Sequence, residues 1–267
     1  MLLWLASASA WAQTVTIGST TVPVTTPATS SYLYGPIYRS STTSSFDYSR
    51  YAHLYTAAEL GIPAGSIITQ LEWLKSDGGT VTGNNTFNVW LENSATSTLG
   101  TSKTWGTLSP TSTQVYTSTS QQVTGVAGDY LSVTLNQPFA YTGGNLLLLT
   151  DWVRQGTSTG AVNFVTNPAA GMGLGYADSA PLTNTTTLTA SSYGDRRPTL
   201  RITYTPATPC TGTPTAGTAV ASATSLCTPA PVSVSLQGAS YGTGLTYQWQ
   251  SSPNGTTWTN IAGATNT

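Results

Sequence analysis

The stretch NLLLLTDWV (Asn145–Val153) decides the fold of this chain. Its apolar residues occupy both sets of alternating positions, so neither face of a strand built from it suits water. Just upstream, YLSVTL (130–135) alternates Leu131, Val133 and Leu135 with hydroxyl residues. That period of two is expected of a strand with one buried and one wet face. We therefore predict a central strand at 145–153, preceded by a half-exposed one.

Segments with similar strand chemistry recur from residue 13 to 205, separated by clusters of Gly, Asn, Pro and Ser. The clearest are TVTIGS (14–19), IITQLEWL (Ile67–Leu74), FNVWLE (87–92), AVNFVT (161–166) and TLRITYT (199–205). A short helix is predicted at TAAELG (56–61), where Thr56 and Glu59 form a capping box and Gly61 ends the turn. The sequence predicts an all-β fold, a jelly-roll-like two-sheet β-sandwich.

The composition supports this class and excludes others. Charged residues make up 6% of the chain, against roughly a quarter in an ordinary soluble domain, and Ser and Thr are abundant. Disorder is not indicated, because aromatic residues reach 10% and β-branched residues are frequent. With a formal net charge of -1 and 8 Lys and Arg residues, the chain lacks the basic surface that nucleic acid or an anionic membrane attracts. We expect neither partner.

The N-terminus MLLWLASASAWAQ (1–13) joins a short apolar run to small residues, with Ala10 and Ala12 in an A-x-A cleavage pattern before Gln13. It predicts a signal peptide at residues 1–12 whose basic region is missing or cropped; the alternative is a buried N-terminal strand. No later segment has the ~18 apolar residues that span a bilayer. The expected location is secreted or at the cell surface, without membrane insertion.

A second unit is predicted after a linker at 206–209, within a stretch dense in Pro, Thr and Gly. Cys210 and Cys227 both lie in this unit, and in an exported chain they are expected to form a disulfide; pairing with cysteines beyond Thr267 is the alternative. The segment LTYQWQSS (245–252) predicts a strand, and SSPNGT (251–256) a turn. The returning TWTNIAG (257–263) has Trp258 and Ile261 as apolar anchors.

The second unit, quoted as CTGTPTAGTAVASATSLC, VSVSLQGAS and GLTYQWQSSPNGTTWTNIAGATN, resembles the Ig-like repeat found in tandem in secreted surface proteins of Bacteroidetes. The resemblance implies a partial Ig-like β-sandwich, an incomplete domain at 210–267, because such a sandwich takes about 100 residues. In the first unit (13–205), RYAHLYTAAELGIPAGSIITQLEW, QPFAYTGGNLLLLT and RRPTLRITY resemble the N-terminal β-sandwich of the same proteins. The chain is then expected to be a fragment of a longer protein; the resemblance brings no settled activity.

No catalytic residue is predicted. His53, the single histidine, lies near Asp47 and Ser49, but no nucleophile motif accompanies it. Paired carboxylates remain an open hydrolytic alternative, because several acidic residues stand next to apolar strand residues: Glu59, Glu72, Glu92, Asp129 and Asp151. No cofactor is expected, although structural Ca²⁺ held by loop acids such as Asp77 or Asp129 is an alternative to capping and turn roles.

Ligand stacking is predicted for aromatic residues in polar surroundings, namely Trp105 in TSKTWGTLSP and Tyr32, Tyr34 and Tyr38 in SSYLYGPIYRSS. Trp73 and Trp90 lie inside strands and are expected in the core. The tripeptide DSA (178–180) matches the D-S/T-A pattern that Bacteroidetes use for O-glycosylation, which makes Ser179 the candidate acceptor.

Two functions are carried forward from these observations. The first is a non-catalytic extracellular or cell-surface protein whose units are structural or adhesive modules of a larger secreted protein. The alternative is a carbohydrate-binding module of a secreted enzyme whose catalytic part lies beyond this chain. Surface glycans or other extracellular proteins are the expected partners.

Overall fold

The computed structural model describes residues 11–22, 35–38, 46–160, 162–190, 196–207, 217–223, 225, 233–239 and 248–264. The chain divides into two compact units at Pro206, with Ser9–Pro206 in one unit and Ala207–Thr267 in the other. Each unit is described by itself.

The first unit is nearly all β. Its described strands are β1 (Gln13–Ile17), β2 (Tyr48–Tyr55), β3 (Ile67–Leu74), β4 (Val81–Thr82), β5 (Thr86–Ser94), β6 (Ser102–Thr104), β7 (Thr113–Ser118), β8 (Tyr130–Ala140), β9 (Asn145–Val153), β10 (Thr157–Ser158), β11 (Thr166–Pro168), β12 (Gly173–Asp178), β13 (Thr187–Thr189), β14 (Arg196–Pro198) and β15 (Leu200–Thr205). Two one-turn helices are described among them, α1 (Ala57–Leu60) and α2 (Trp105–Leu108).

These strands form two main antiparallel sheets. The smaller sheet has four strands in the order β1-β15-β3-β8, and the larger has seven in the order β6-β13-β12-β2-β9-β5-β7. Two small ladders, β10-β4 and β11-β14, accompany them. The all-β prediction is confirmed, and the jelly-roll assignment stays a prediction.

The strand β9 lies in the interior of the larger sheet, between β2 and β5, as its sequence predicts. Alternate residues enter different apolar clusters: Leu146 and Leu148 contribute to the main core, and Leu147 and Leu149 to a second cluster on the opposite face. A strand covered on both faces has no polar position to offer water, and this explains its continuous apolar run.

The main core contains residues from both sheets, which is the arrangement of a β-sandwich. The inward positions of β3 and β8 meet those of β5 and β9 in it. Phe87 makes edge-to-face contacts with Trp73 and Trp152, with ring centroids 5.9 Å apart in each pair. Such aromatic pairs stabilise a core by about 1 kcal/mol beyond their buried area.

The helix α1 has the predicted capping box. The Thr56 side chain accepts from the Glu59 backbone, the Glu59 carboxylate accepts from the Thr56 backbone, and Gly61 ends the helix at φ 58°. The segment AVNFVT is less regular than predicted, because β11 begins only at Thr166 and the residues before it join a ladder at one bridge, between Lys75 and Phe164.

The second unit contributes two described hairpins: β16 (Thr218–Ala221) with β17 (Val234–Gln237), and β18 (Gln250–Ser251) with β19 (Thr259–Asn260). The hairpin predicted in this region is therefore present. Trp258 and Ile261, the apolar anchors of the returning segment, are exposed in the structure. In the turn, Asn254 Oδ1 accepts from the backbone N–H groups of Thr256 and Thr257.

Candidate functional site

Most of the few charged groups are engaged in contacts that hold the first unit together. Within the described ranges, four ion pairs join segments that are distant in sequence, with N···O distances of 2.5 to 3.0 Å: Arg50 with Asp151, Arg154 with Asp47, Arg197 with Glu59, and Arg201 with Glu72. Three of the acids considered for a carboxylate pair, Glu59, Glu72 and Asp151, therefore bind arginines. The structure does not bring them together.

The Arg197–Glu59 pair is the most buried of these contacts on the arginine side. The Arg197 guanidinium donates to both Glu59 oxygens and to the Leu54 carbonyl, and lies 4.7 Å from the Tyr55 ring centroid. The hydrogen bond from Arg197 lowers the pKa of Glu59 to about 2, and bonds from Thr56 act in the same direction. The pair fastens α1 to the strand β14.

The Ca²⁺ candidates Asp77 and Asp129 lie beside the ammonium group of a buried lysine, Lys75. Its Nζ atom donates to three backbone carbonyl oxygens at 2.7 to 2.9 Å, those of Gly79, Thr124 and Gly125. Burial lowers the pKa of Lys75, and the charges of Asp77 and Asp129 oppose that shift. Carbonyl and carboxylate oxygens suit Ca²⁺, but in this loop cluster they surround a cation that the chain itself supplies. The described residues contain no group of three or more His, Cys, Asp or Glu side chains arranged to hold a metal.

His53 lies on the central strand β2 and is buried. Its ring stacks on that of Tyr51, with centroids 5.7 Å apart, and a Cβ atom on Gly35 would lie 2.9 Å from it. No described residue pairs with its Nδ1 atom. Burial lowers the pKa of His53 to about 3, and the nearby positive charge of Arg197 adds to the effect. A neutral, enclosed imidazole is a packing residue at neutral pH.

The stacking candidates that the structure describes are buried, so this prediction was wrong for them. Trp105 is 4% exposed, because α2 begins at this residue and lays its indole edge-on against Trp90, with ring centroids 5.6 Å apart. The Arg50 guanidinium lies 4.6 Å from the Trp105 ring centroid. Tyr38 is buried against Tyr51 and Ala177.

The remaining predicted sites fall into those that lie outside the described residues and those that the structure places. Tyr32, Tyr34, Cys210 and Cys227 lie outside the described residues, as does most of the predicted signal peptide. Ser179 is exposed in the turn after β12, where Asp178 Oδ1 accepts from the Ser179 and Ala180 backbone N–H groups. Its modification stays a prediction. Trp73 lies in the core as predicted, and Trp90 packs partly buried against the second cluster.

One pocket of the first unit combines charged groups that form no ion pair in the described residues. It has a volume of about 90 Å³ and is partly open to solvent. The buried side chains of Leu99, Leu108 and Leu147 give it an apolar floor, on the outer face of the seven-stranded sheet. Glu92 and Lys103 both line it. We refer to it as the Glu92 pocket.

Glu92 is held in place through one of its two carboxylate oxygens. The Thr111 hydroxyl donates to Oε2 at 2.6 Å, and the Ser112 hydroxyl lies 3.1 Å from the same atom. None of the described residues donates to Oε1. Lys103 lies on the edge strand β6, and in the described part of the chain its ammonium makes no hydrogen bond or ion pair. One acceptor and one donor thus remain for a bound molecule.

Sequence reasoning named Glu92 only as one of several acids and did not consider Lys103. The local signal is weak, since Glu92 occupies an outward position of an alternating strand, where a charged residue is ordinary. The polar segment between β5 and α2, rich in Ser and Thr, gives no sign that its one leucine, Leu99, packs back onto the sheet. That return of the chain creates the pocket.

Comparison with known proteins reaches only the second unit. Residues 215–267 match the model of a domain of unknown function, DUF8696. No curated protein matches the chain, and no solved structure matches it. Among the described residues, no helix has the length and apolar character to cross a membrane.

Proposed function

We propose that this chain is a non-catalytic extracellular or cell-surface protein, with two units that serve as structural or adhesive modules of a larger secreted protein. The observation that carries the proposal is that most of the described charged groups make contacts within the protein itself. Arginines and acids that could serve catalysis are paired across distant segments, His53 is enclosed, and the Lys75 ammonium binds backbone carbonyls. The chain uses its scarce charges to hold a neutral, hydroxyl-rich framework.

The resemblance to secreted surface proteins of Bacteroidetes supports the same proposal, as does the signal-like N-terminus. A neutral surface rich in Ser and Thr suits a spacer or an adhesive module, because such a surface hydrogen-bonds broadly without strong long-range electrostatic attraction. Export is part of the proposal, and N-terminal sequencing of the mature protein is expected to begin at Gln13.

The experiment pairs an adhesion assay with an activity screen. Beads coated with the full chain are expected to adhere to cells or to an extracellular matrix, and the soluble chain is expected to compete for that adhesion. The same preparation is expected to leave chromogenic glycosides and esters unchanged. Turnover that a Glu92→Gln or His53→Leu variant abolishes would overturn the non-catalytic proposal, and beads that adhere no better than albumin-coated beads would count against adhesion.

A second candidate function is carbohydrate binding in a module attached to a secreted enzyme. The Glu92 pocket favours it, because an acidic residue, a lysine and several hydroxyl-bearing residues line it together with three leucines. A glycan array with the full chain tests this candidate. Absence of binding to every sugar on the array would remove it and leave the structural proposal intact.

A further inference from the structure

The Glu92 pocket has the two kinds of surface that a sugar ring requires. Three leucines line it, whose side chains suit the C–H face of a ring, and the hydroxyl-bearing residues Ser94, Thr96 and Thr107 line it as well. Ligand sites combine apolar contact with a few placed polar groups that fix the orientation of the ligand.

The carboxylate of Glu92 is already oriented before any ligand arrives. Because the Thr111 hydroxyl donates to Oε2, rotation of the carboxylate is restricted, and Oε1 keeps its lone pairs available. An ionised carboxylate accepts hydrogen bonds only, so its partner on a ligand must be a donor such as a hydroxyl group.

Lys103 supplies the complementary group. Its Nζ atom offers three N–H donors, and in the described residues none of them is used by the protein. The other described arginines and lysines all have hydrogen-bond or ion-pair partners. A ligand group that accepts from Lys103 and donates to Glu92 satisfies both, and adjacent hydroxyls of a sugar do this.

Size and charge narrow the ligand further. The cavity of about 90 Å³ is well below the roughly 300 Å³ of pockets that enclose a drug-sized molecule, so it holds part of one ring and not a length of chain. The opposite charges of Glu92 and Lys103 leave the pocket without net charge, and this suits a neutral sugar that both accepts and donates hydrogen bonds.

We propose that the Glu92 pocket binds the terminal neutral pyranose of a glycan, with adjacent hydroxyls shared between Glu92 Oε1 and Lys103 Nζ. This inference rests on the second candidate function, carbohydrate binding. It adds the site, the single-ring mode of recognition and the two residues that determine specificity.

The test is a titration of the isotope-labelled full chain with methyl glycosides of neutral hexoses, followed by NMR. One glycoside is expected to shift the backbone signals of Glu92, Lys103 and Thr111 with a Kd on the order of millimolar, as for a small ligand with few contacts. Glu92→Gln and Lys103→Met are each expected to weaken that binding by about tenfold. Asp178→Asn removes a half-buried carboxylate outside the pocket and serves as the matched control; it is expected to bind as the wild type does.

The other outcomes are distinct. A glycoside that binds equally well to wild type, Glu92→Gln and Lys103→Met would overturn the assignment of this pocket and leave carbohydrate binding in place. A negative glycan array together with a negative titration would overturn both. Glycine or alanine is included as a zwitterionic probe, and shifts at the pocket with the amino acid but not with any glycoside would also overturn the proposal. Thr107→Trp, which fills the rim, is expected to abolish binding with an unchanged circular dichroism spectrum.

Discussion

Lowering the pH from 7.5 to 5 is expected to destabilise the first unit through one residue, His53. Its pKa is about 3 in the folded protein and 6.5 when unperturbed. Between these values the unfolded chain binds a proton that the folded chain does not, so stability falls as the pH falls. The chain has one histidine, and no other side-chain type ordinarily titrates in this window.

The magnitude follows from the distance between pH 5 and the unfolded pKa. pH 5 lies 1.5 units below the unfolded pKa, and over that range protonation of His53 favours the unfolded chain by 1.36 kcal/mol per pH unit. The free energy of unfolding therefore falls by about 2 kcal/mol. Any folded pKa below about 4 gives nearly the same loss, so the expectation depends on the burial of His53 and little on the exact shift.

Urea unfolding followed by tryptophan fluorescence measures the effect, since Trp73 and Trp152 are buried in the core. With a slope of about 2 kcal/mol/M, the urea midpoint is expected to fall by about 1 M between pH 7.5 and 5. The urea midpoint of the His53→Leu variant at pH 7.5 differs from that of the wild type, but it is expected to stay nearly constant down to pH 5. Equal midpoints at both pH values in the wild type, or an equal fall in wild type and variant, would refute the reasoning.

Three further predictions concern named contacts. Below pH 4.5, loss of the Glu59 charge is expected to lower the free energy of unfolding by about 1 to 2 kcal/mol, after allowance for the partial exposure of Glu59. When stability is measured against pH, the Glu59→Gln variant is expected to lack this decrease. Lys75→Met is expected to lower the free energy of unfolding by about 3 kcal/mol or more, because three carbonyls lose their donor; a thermal melt checks this, and a change under about 1 kcal/mol contradicts it. Gly156→Ala is expected to destabilise by about 2 kcal/mol or more, since its Cβ would lie 1.7 Å from the Thr82 carbonyl oxygen, whereas Gly78→Ala, with no atom within 4 Å of its Cβ, is expected to be nearly neutral in the same urea titration.

The sequence predicted what local chemistry controls. The strand at Asn145–Val153 and the capping box from Thr56 to Glu59 follow from residue type and spacing within a few positions. For these elements, the neighbouring residues are sufficient to specify the structure.

The central strand β2 could not be predicted in the same way, since it carries Arg50 and His53 at positions that are largely buried. Burial of Arg50 is compensated by Asp151 on β9, a partner that only the folded sheet brings near. Trp105 was misjudged for a related reason: its polar neighbours in sequence say nothing of Trp90, which covers it. The pairing of Glu92 and Lys103 around one pocket depends on the return of the chain over the sheet, which no local pattern records.

The position of β15 in the four-stranded sheet constrains when the first unit completes its fold. This strand is the last of the unit in sequence, yet it lies between β1 and β3, paired with both. A chain emerging from the ribosome therefore holds β1 without its hydrogen-bonding neighbour until residues 200–205 have been made. Domains tend to fold as units, and here the closing strand comes at the end. The four-stranded sheet is therefore completed only after the last strand of the unit has been synthesised.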